Sequence, residues 1–330
     1  MSAERIAAEP MLAPNIAGPP AWIRDELTPA AWLVPITPAA IDEIDAFVRG
    51  LGPELRPPGE DHAAELPACA ALMAEVRARL EQGCGLAVLD RLPVERWDPA
   101  ANRVIGWVLA GMLGRIVAQK WDGTKVYDVL DTGRPLGHGV RRSVTNLGQP
   151  FHTDGGWLSR PPHFVGLFCL QTALEGGISR FVSLVTVHNL LRLRHPSLLS
   201  RLYRPFHWDR QAEHTPGDLP HARRPVYEYD GGRLAARWYE DYIAKGQALA
   251  SEPLDAEGVD ALAAMAALVD APEHWTEFRI EAGQFQYLNN LQFAHCRTAF
   301  ADGGPEQRRH LLRFWNRDEG APELEGEPAG

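Results

Sequence analysis

Leu66, Ala70, Met73 and Leu80 recur at helical spacing, which predicts an amphipathic helix over Leu66–Leu80. Gly83-Cys84-Gly85 ends it, and the apolar run Leu86–Leu89 predicts a buried strand. Pro99–Gln119 reads as a second helix, apolar on much of its surface. From Lys125 the pattern changes to short strands punctuated by glycine turns, with helical stretches at Leu184–Leu191, Pro196–Leu202 and Asp255–Val269. Pro225–Ala235 predicts a hairpin around Asp230-Gly231-Gly232, a type I′ turn signal, and Phe278–Asn289 and Arg309–Trp315 predict strands. Short strands with helices before and between them predict a mainly β fold with flanking helices: a double-stranded β-helix, or jelly roll. Residues 21–317 form its single domain. Residues 1–20, rich in Pro and Ala, predict a loose arm, and residues 318–330 a disordered acidic tail.

Composition narrows the class. Hydrophobic residues make up 45% and charged residues 23% of the 330 positions, as in soluble globular proteins. A formal charge of −10 argues against a nucleic-acid partner, which needs a basic footprint. The four cysteines, Cys69, Cys84, Cys169 and Cys296, have no metal-binding spacing and read as thiols in a reducing compartment. The N-terminal stretch lacks a basic region followed by an apolar core. The longest uncharged, mostly apolar run, Val104–Leu113, falls well short of the ~20 residues that cross a bilayer. The expectation is a cytoplasmic protein with no membrane partner; homo-oligomerisation is left open. No glycine-rich phosphate loop follows a predicted strand, which argues against a nucleotide-binding fold.

The candidate chemistry lies at His152-Thr153-Asp154. In an extended strand, residues two apart point to the same face, so one imidazole and one carboxylate are offered to the same metal ion. With 12 His and 19 Asp in the chain, about 0.7 His-x-Asp triplets are expected by chance. Two occur, the second being His207-Trp208-Asp209, read as a strand with one partly exposed face. Spacing to further groups separates them. After His152 comes Gly176-Gly177 followed by Ser179, then His295 in NNLQFAHCRTAF, then Arg309 and Arg313 in RRHLLRFW. Two His and one carboxylate on one face of an ion leave the opposite face open, which suits non-haem Fe(II).

These blocks, in this order, resemble the taurine dioxygenase-like (TauD/TfdA) family of Fe(II)/2-oxoglutarate oxygenases, from about Gly83 to Asn316. The resemblance implies a clavaminate synthase-like jelly roll, with Fe(II) as cofactor and 2-oxoglutarate and O2 as cosubstrates. It implies that His152, Asp154 and His295 hold the iron, that Arg309 pairs with the distal carboxylate of 2-oxoglutarate, and that Ser179 hydrogen-bonds the same group. Arg313 matches a second pocket arginine that holds an acidic group of the substrate in some members. Two positions depart from the family pattern: Cys296 stands where glycine is common, and Ser179 where threonine is usual. The implied reaction releases succinate and CO2 and hydroxylates or desaturates an unactivated C–H bond of a small-molecule substrate. A halogenase would lack the carboxylate that Asp154 supplies.

Strand alternation agrees with the Arg assignments. Arg309, Leu311 and Arg313 share one face and His310 takes the other, which makes His310 a poor metal ligand. Trp157 and Asn146 are further substrate-side candidates, Asn146 because alternation places it on the face of His152; Trp238, Tyr239, Arg141 and Arg142 are weaker ones. Two other classes remain open on the residues alone. A metal-dependent jelly-roll isomerase or cofactor-free dioxygenase would use three or four His ligands, and a non-catalytic jelly-roll module would need no triad with an anion-binding arginine.

Overall fold

The computed structural model describes residues 12–51, 62, 64–137, 139–304 and 307–327. Ten strands build two facing sheets: β1 (Leu33–Pro35), β2 (Leu86–Asp90), β3 (Tyr127–Val129), β4 (Gln149–His152), β5 (Phe164–Gln171), β6 (Ser179–Ser183), β7 (Trp275–Phe278), β8 (Phe285–Asn289), β9 (Phe293–Arg297) and β10 (His310–Asn316). The larger sheet runs β1-β2-β8-β5-β10-β3 and the smaller β7-β6-β9-β4. All neighbours are antiparallel except β1 and β2. Helices α1 (Pro38–Gly50), α2 (Pro67–Glu81) and α3 (Pro99–Leu113) precede the smaller sheet, and α4 (Leu184–Arg194), α5 (Pro196–Leu202), α6 (Glu240–Ala250) and α7 (Ala256–Asp270) lie between β6 and β7. This is the expected jelly roll.

Period-two alternation decides which side chains reach the interior. On the larger sheet, Ala87, Leu89, Phe168, Phe285, Tyr287, Leu312 and Phe314 point outward into a core shared with Met73 and Val76 of α2 and Val104 and Val108 of α3. Their strand neighbours Leu86, Val88, Val165, Leu288 and Trp315 point inward, into a second core. Each fully buried Phe of this kind stabilises the fold by roughly 1.5–3 kcal/mol. Helix α3 begins at Asp98, whose carboxylate accepts the Ala101 N–H, with Pro99 at the first helical position. It lies close on the sheet because Gly106 has no side chain: a Cβ there would stand 3.0–3.1 Å from the rings of Phe314 and Phe168.

The hairpin at Tyr227–Asp230 and Arg233–Ala236 turns through Gly231 and Gly232, both at positive φ as a type I′ turn requires. Several expectations need correction. Helix α3 stops at Leu113, and Val117 instead donates to the Trp315 carbonyl, so Arg115–Gln119 runs along β10. The strand expected over Phe278–Asn289 is two strands in different sheets, divided by a turn at Gly283. Helices α1 and α6 were not expected, although α1 sets Ala40, Ile44, Phe47 and Val48 at helical spacing against the outer core.

Parts of both end segments are described, residues 12–20 and 318–327. Residues 1–11 and 328–330 lie outside the described residues. Residues 12–20 dock on α4: Ala13 is fully buried and its N–H donates to the Tyr203 hydroxyl, while Ile16 bonds the Asn189 amide through both backbone groups. At the other end Asp318 pairs with Arg77, and Glu325 accepts from the Ser159 N–H and Arg210. The buried Arg317 guanidinium donates to backbone carbonyls of Arg160, Glu319, Ala321, Glu323 and Leu324. Backbone groups, invisible to composition, contribute to both contacts, joined at the C-terminal side by the Asp318 and Glu325 carboxylates.

His188 of α4 links this docking to pH. It is fully buried and its Nε2 accepts from the Tyr203 hydroxyl. Burial pushes its pKa down to about 4; the Asn189 side chain opposes this and Arg192 adds to it. The folded protein therefore holds His188 neutral, whereas the unfolded chain takes up a proton near 6.5. Its contribution is complete above about pH 6.5 and is lost as pH falls toward 4. Metal-free protein should lose roughly 2–3 kcal/mol through this group across that window, and His188→Gln should flatten the pH dependence of denaturant unfolding. An equally steep profile in the variant would rule the histidine out.

Candidate active site

The smaller sheet brings the two histidines together. His295 of β9 is the direct cross-strand partner of His152 of β4, and their rings lie 4.2 Å apart between centroids. Asp154 follows two residues after β4 ends, in a turn rather than in the strand the spacing implied. Gly155, at φ +66°, makes that turn, because L side chains rarely adopt this backbone. Asn290 clamps it: its side chain accepts from the Asp154 N–H at 2.7 Å and donates to the Asp154 and Pro162 carbonyls. Thr153 is fixed by reciprocal bonds with Trp238. One ligand atom from each of His152, Asp154 and His295 falls within 4.8 Å of the other two, and all three residues are buried.

The surroundings prepare each group for a cation. His152 Nδ1 donates to the Pro150 carbonyl at 2.9 Å, which leaves the Nε2 lone pair facing the site. The Gln149 amide donates to that lone pair at 2.8 Å, so Gln149 yields when a metal takes its place. Asp154 Oδ2 accepts from the Trp315 indole at 2.8 Å and faces Arg313 Nη1 at 3.1 Å, while Oδ1 lies 3.4 Å from His152 Nε2. Burial raises the Asp154 pKa, but Arg313, followed by the nearby His152 and His295, outweighs it and holds the carboxyl well below the usual range. Burial, followed by His152, pushes His295 down to about 3, so it is a neutral imidazole. Two imidazoles and one carboxylate fit Fe(II). Trp315→Phe removes one bond that orients Asp154 and should weaken Fe(II) binding about 10- to 100-fold. Anaerobic titration measures this, and unchanged affinity would dismiss the indole.

Beside the triad lies a narrow cavity lined by Ser179, Gln286, Arg297, Arg309 and Arg313, with His152 and His295 at its metal end. Gly176-Gly177 turns the chain into β6, which begins at Ser179. Arg309 precedes β10 and is 4% exposed; its backbone N–H donates to Asp302, and its guanidinium lies over the Phe300 ring. His310 faces away and pairs with Asp128. Arg297 of β9 lies over the same Phe300 ring and donates to the Thr145 and Leu147 carbonyls. Burial lowers Arg309 to about 10 and Arg297 to about 9, the latter with help from Arg309, so both remain cations at neutral pH. Neither has a carboxylate within ion-pair distance among the described residues, and Arg309 Nη1 has no hydrogen-bond partner there. Two buried, unpaired cations form an anion site.

The other expected residues separate. Arg313 lines this cavity too; its Nη1 faces Asp154 and its Nε donates to Gln119, while Nη2 has no hydrogen-bond partner among the described residues. Trp157 is buried beside Tyr242 and lines a second small cavity with Arg141, Arg142, His152, Asp154 and Tyr239. Arg142, Tyr239 and Tyr242 also line an open cleft of ≈ 380 Å³ that leads outward past Val140, Asp209, Gln211 and Lys245. Asn146 is exposed in a bend before β4 and lines none of these, because the strand that would have turned it inward starts only at Gln149. The rival pair forms no metal group: His207 bonds His221 and Glu252, and Asp209 bonds Gln211. All four residues of its strand, Phe206–Asp209, are buried, so no face is exposed as expected.

The sequence reading missed Gln119, Asn290 and Gln149. It also missed Trp315, which the alternation that pairs Arg309 with Arg313 would have placed on the inner face.

Comparison with known proteins agrees with this geometry. The family model for taurine catabolism dioxygenase TauD, TfdA family, matches residues 43–315. FR-33289 synthase of Streptomyces rubellomurinus is 31% identical over 77% of this chain and 75% of its own length. The taurine hydroxylase-like protein SAT17 of Stachybotrys chartarum is 26% identical over 91% of this chain and 79% of its own. Among solved structures, asparagine oxygenase with Fe(II), hydroxyasparagine and succinate superposes with a TM-score of 0.67 at 19% identity, covering 87% of this chain and 94% of that one. The non-haem iron oxygenase OrfP with Fe and α-ketoglutaric acid gives 0.63 at 14% identity over the same shares. Among the described residues, no helix is long and apolar enough to cross a membrane. The chain belongs to the TauD/TfdA family and is an Fe(II)/2-oxoglutarate-dependent dioxygenase.

Proposed function

We propose that this dioxygenase hydroxylates an unactivated C–H bond of a small polar substrate bearing an anionic group, which enters through the cleft beside Tyr239 and Tyr242. The observation that carries the reading is that the two histidines of the buried triad line one cavity with Arg309 and Ser179. His152, Asp154 and His295 would hold Fe(II); Arg309 and Ser179 would bind the distal carboxylate of 2-oxoglutarate. Once bound, the iron with 2-oxoglutarate and O2 supplies the oxidising chemistry, which releases succinate and CO2 and leaves one oxygen atom on the substrate.

The chain's own residues do the rest. Asp154 occupies its ligand position as an anion, which favours hydroxylation or desaturation over halogenation. Trp157, Tyr239 and Tyr242 wall the space between cleft and triad and keep water from it. At the mouth, Arg142 and Lys245 supply positive charge and Asp209 a buried carboxylate. This suits a substrate carrying an acid, with or without an amine.

The test is a screen for succinate release from 2-oxoglutarate and Fe(II) with small amino acids and other small acids, paired with mass analysis for a gain of one oxygen. Lys245→Glu should raise the KM of the active compound more than it lowers kcat. If turnover responds only to uncharged or large apolar compounds, the substrate reading is wrong.

A further inference from the structure

Gln286 is the polar residue of β8 that the site has not used. Its neighbours Phe285 and Tyr287 point outward into the helical core. Gln286 therefore points inward, where it pairs across strands with Leu167, which in turn pairs with Arg313. The three side chains form one row across the inner face, level with the arginine that touches Asp154. Gln286 is 1% exposed, and neither Oε1 nor Nε2 has a hydrogen-bond partner among the described residues. It lines the cavity of Ser179, Arg309 and His152 alongside apolar Leu167, Val129 and Phe181. A leucine would suit such a position better in the empty protein, since a buried amide left unpaired destabilises the fold. Arg309 approaches the cavity from beyond the far end of β10, so Gln286 sits nearer the metal than Arg309 does.

We propose that Gln286 is a cosubstrate-binding residue, whose amide hydrogen-bonds the carboxylate beside the keto group of 2-oxoglutarate. The proposal rests on the reading of Arg309 and Ser179 as the distal carboxylate site. Folded stability is given up in the empty protein, and the missing hydrogen bonds are made when the 2-oxo acid enters.

The test compares wild type, Gln286→Leu, Gln286→Met and Arg309→Ala as full chains. Metal-free Gln286→Leu should melt higher than wild type by roughly 2–4 °C, because an unpaired amide is replaced by an apolar group. Anaerobic calorimetry with Fe(II) loaded should show metal affinity unchanged and 2-oxoglutarate bound about 10- to 100-fold more weakly. Succinate keeps a distal carboxylate and lacks the 2-oxo acid end, so its affinity should change less than about threefold in Gln286→Leu and fall in Arg309→Ala. Gln286→Met, closer in shape, gives the same comparison if the leucine variant does not fold. Unchanged 2-oxoglutarate affinity in a folded Gln286 variant, or an equal loss for succinate, would overturn the proposal. If wild-type protein binds Fe(II) but Arg309→Ala leaves 2-oxoglutarate affinity untouched, the cavity reading falls first and the proposal falls with it.

Discussion

Arg309→Ala is expected to raise the 2-oxoglutarate concentration needed for half-maximal succinate release by about two to three orders of magnitude. The guanidinium is buried, remains a cation at a pKa of about 10, and has no carboxylate partner among the described residues. A dianion entering the cavity supplies one. Without Arg309 that carboxylate is buried uncompensated, at a cost of roughly 3–5 kcal/mol, and about 1.4 kcal/mol corresponds to a tenfold change. Fe(II) affinity should persist, since Arg309 is not part of the triad. Ser179→Ala removes a single bond to a charged group, worth roughly 1.5–3 kcal/mol, and should act in the same direction more weakly. Arg313→Ala should instead weaken Fe(II) binding, because Asp154 loses a donor that holds its carboxylate in place. Titrating iron and 2-oxoglutarate separately in the three variants decides the matter. A larger 2-oxoglutarate defect in Arg313→Ala than in Arg309→Ala would show that the roles are exchanged.

His295→Ala is expected to abolish tight Fe(II) binding, and His152→Ala to do the same. Each removes one of the three residues that could hold the metal among the described residues, and the pair is held face to face by strand register rather than by a flexible loop. Wild-type protein given Fe(II) and 2-oxoglutarate without O2 should develop a weak visible charge-transfer band, and both variants should lack it. His207→Ala serves as the control, because His207 is engaged with His221 and Glu252 away from the triad. Iron loss in a folded His207→Ala protein with His295→Ala unaffected would move the site to the other His-x-Asp pair.

What the sequence made legible is what repeats or what carries rare chemistry. Alternation along RRHLLRFW turned Arg309 and Arg313 inward and His310 outward, and the structure places all three so. The order of His152, Asp154, Ser179, His295 and Arg309 carried the resemblance, and in the structure these residues lie in, or just beyond the ends of, β4, β6, β9 and β10. Less visible were features that depend on partners far along the chain. Asn146 appeared inward only while β4 was taken to begin before Gln149, and nothing local to Asn146 shows where β9 stops pairing. The ion pair of Arg313 with Asp154 was not foreseen, because Asp154 arrives from the other sheet. Gln119 was counted into a helix, although it runs along β10 and holds Arg313. The contacts of residues 12–20 and 318–327 were invisible for a similar reason: backbone groups of the first bond Tyr203 and Asn189, and carboxylates of the second pair with Arg77 and Arg210, all far along the chain.

The pairing of β4 with β9 also sets when the enzyme becomes able to handle iron. Asp154 leans on Trp315 and Arg313, and its peptide is clamped by Asn290, so both His295 and the supports of Asp154 come from the final stretch of the domain. A chain emerging from the ribosome carries His152 and Asp154 early but lacks the strand partner of the one and the supports of the other until Phe285–Asn316 has been made and laid between its neighbours. Truncated or half-made chains would thus be poor iron carriers. The order of the strands keeps oxygen chemistry away from molecules that have no closed pocket to contain it.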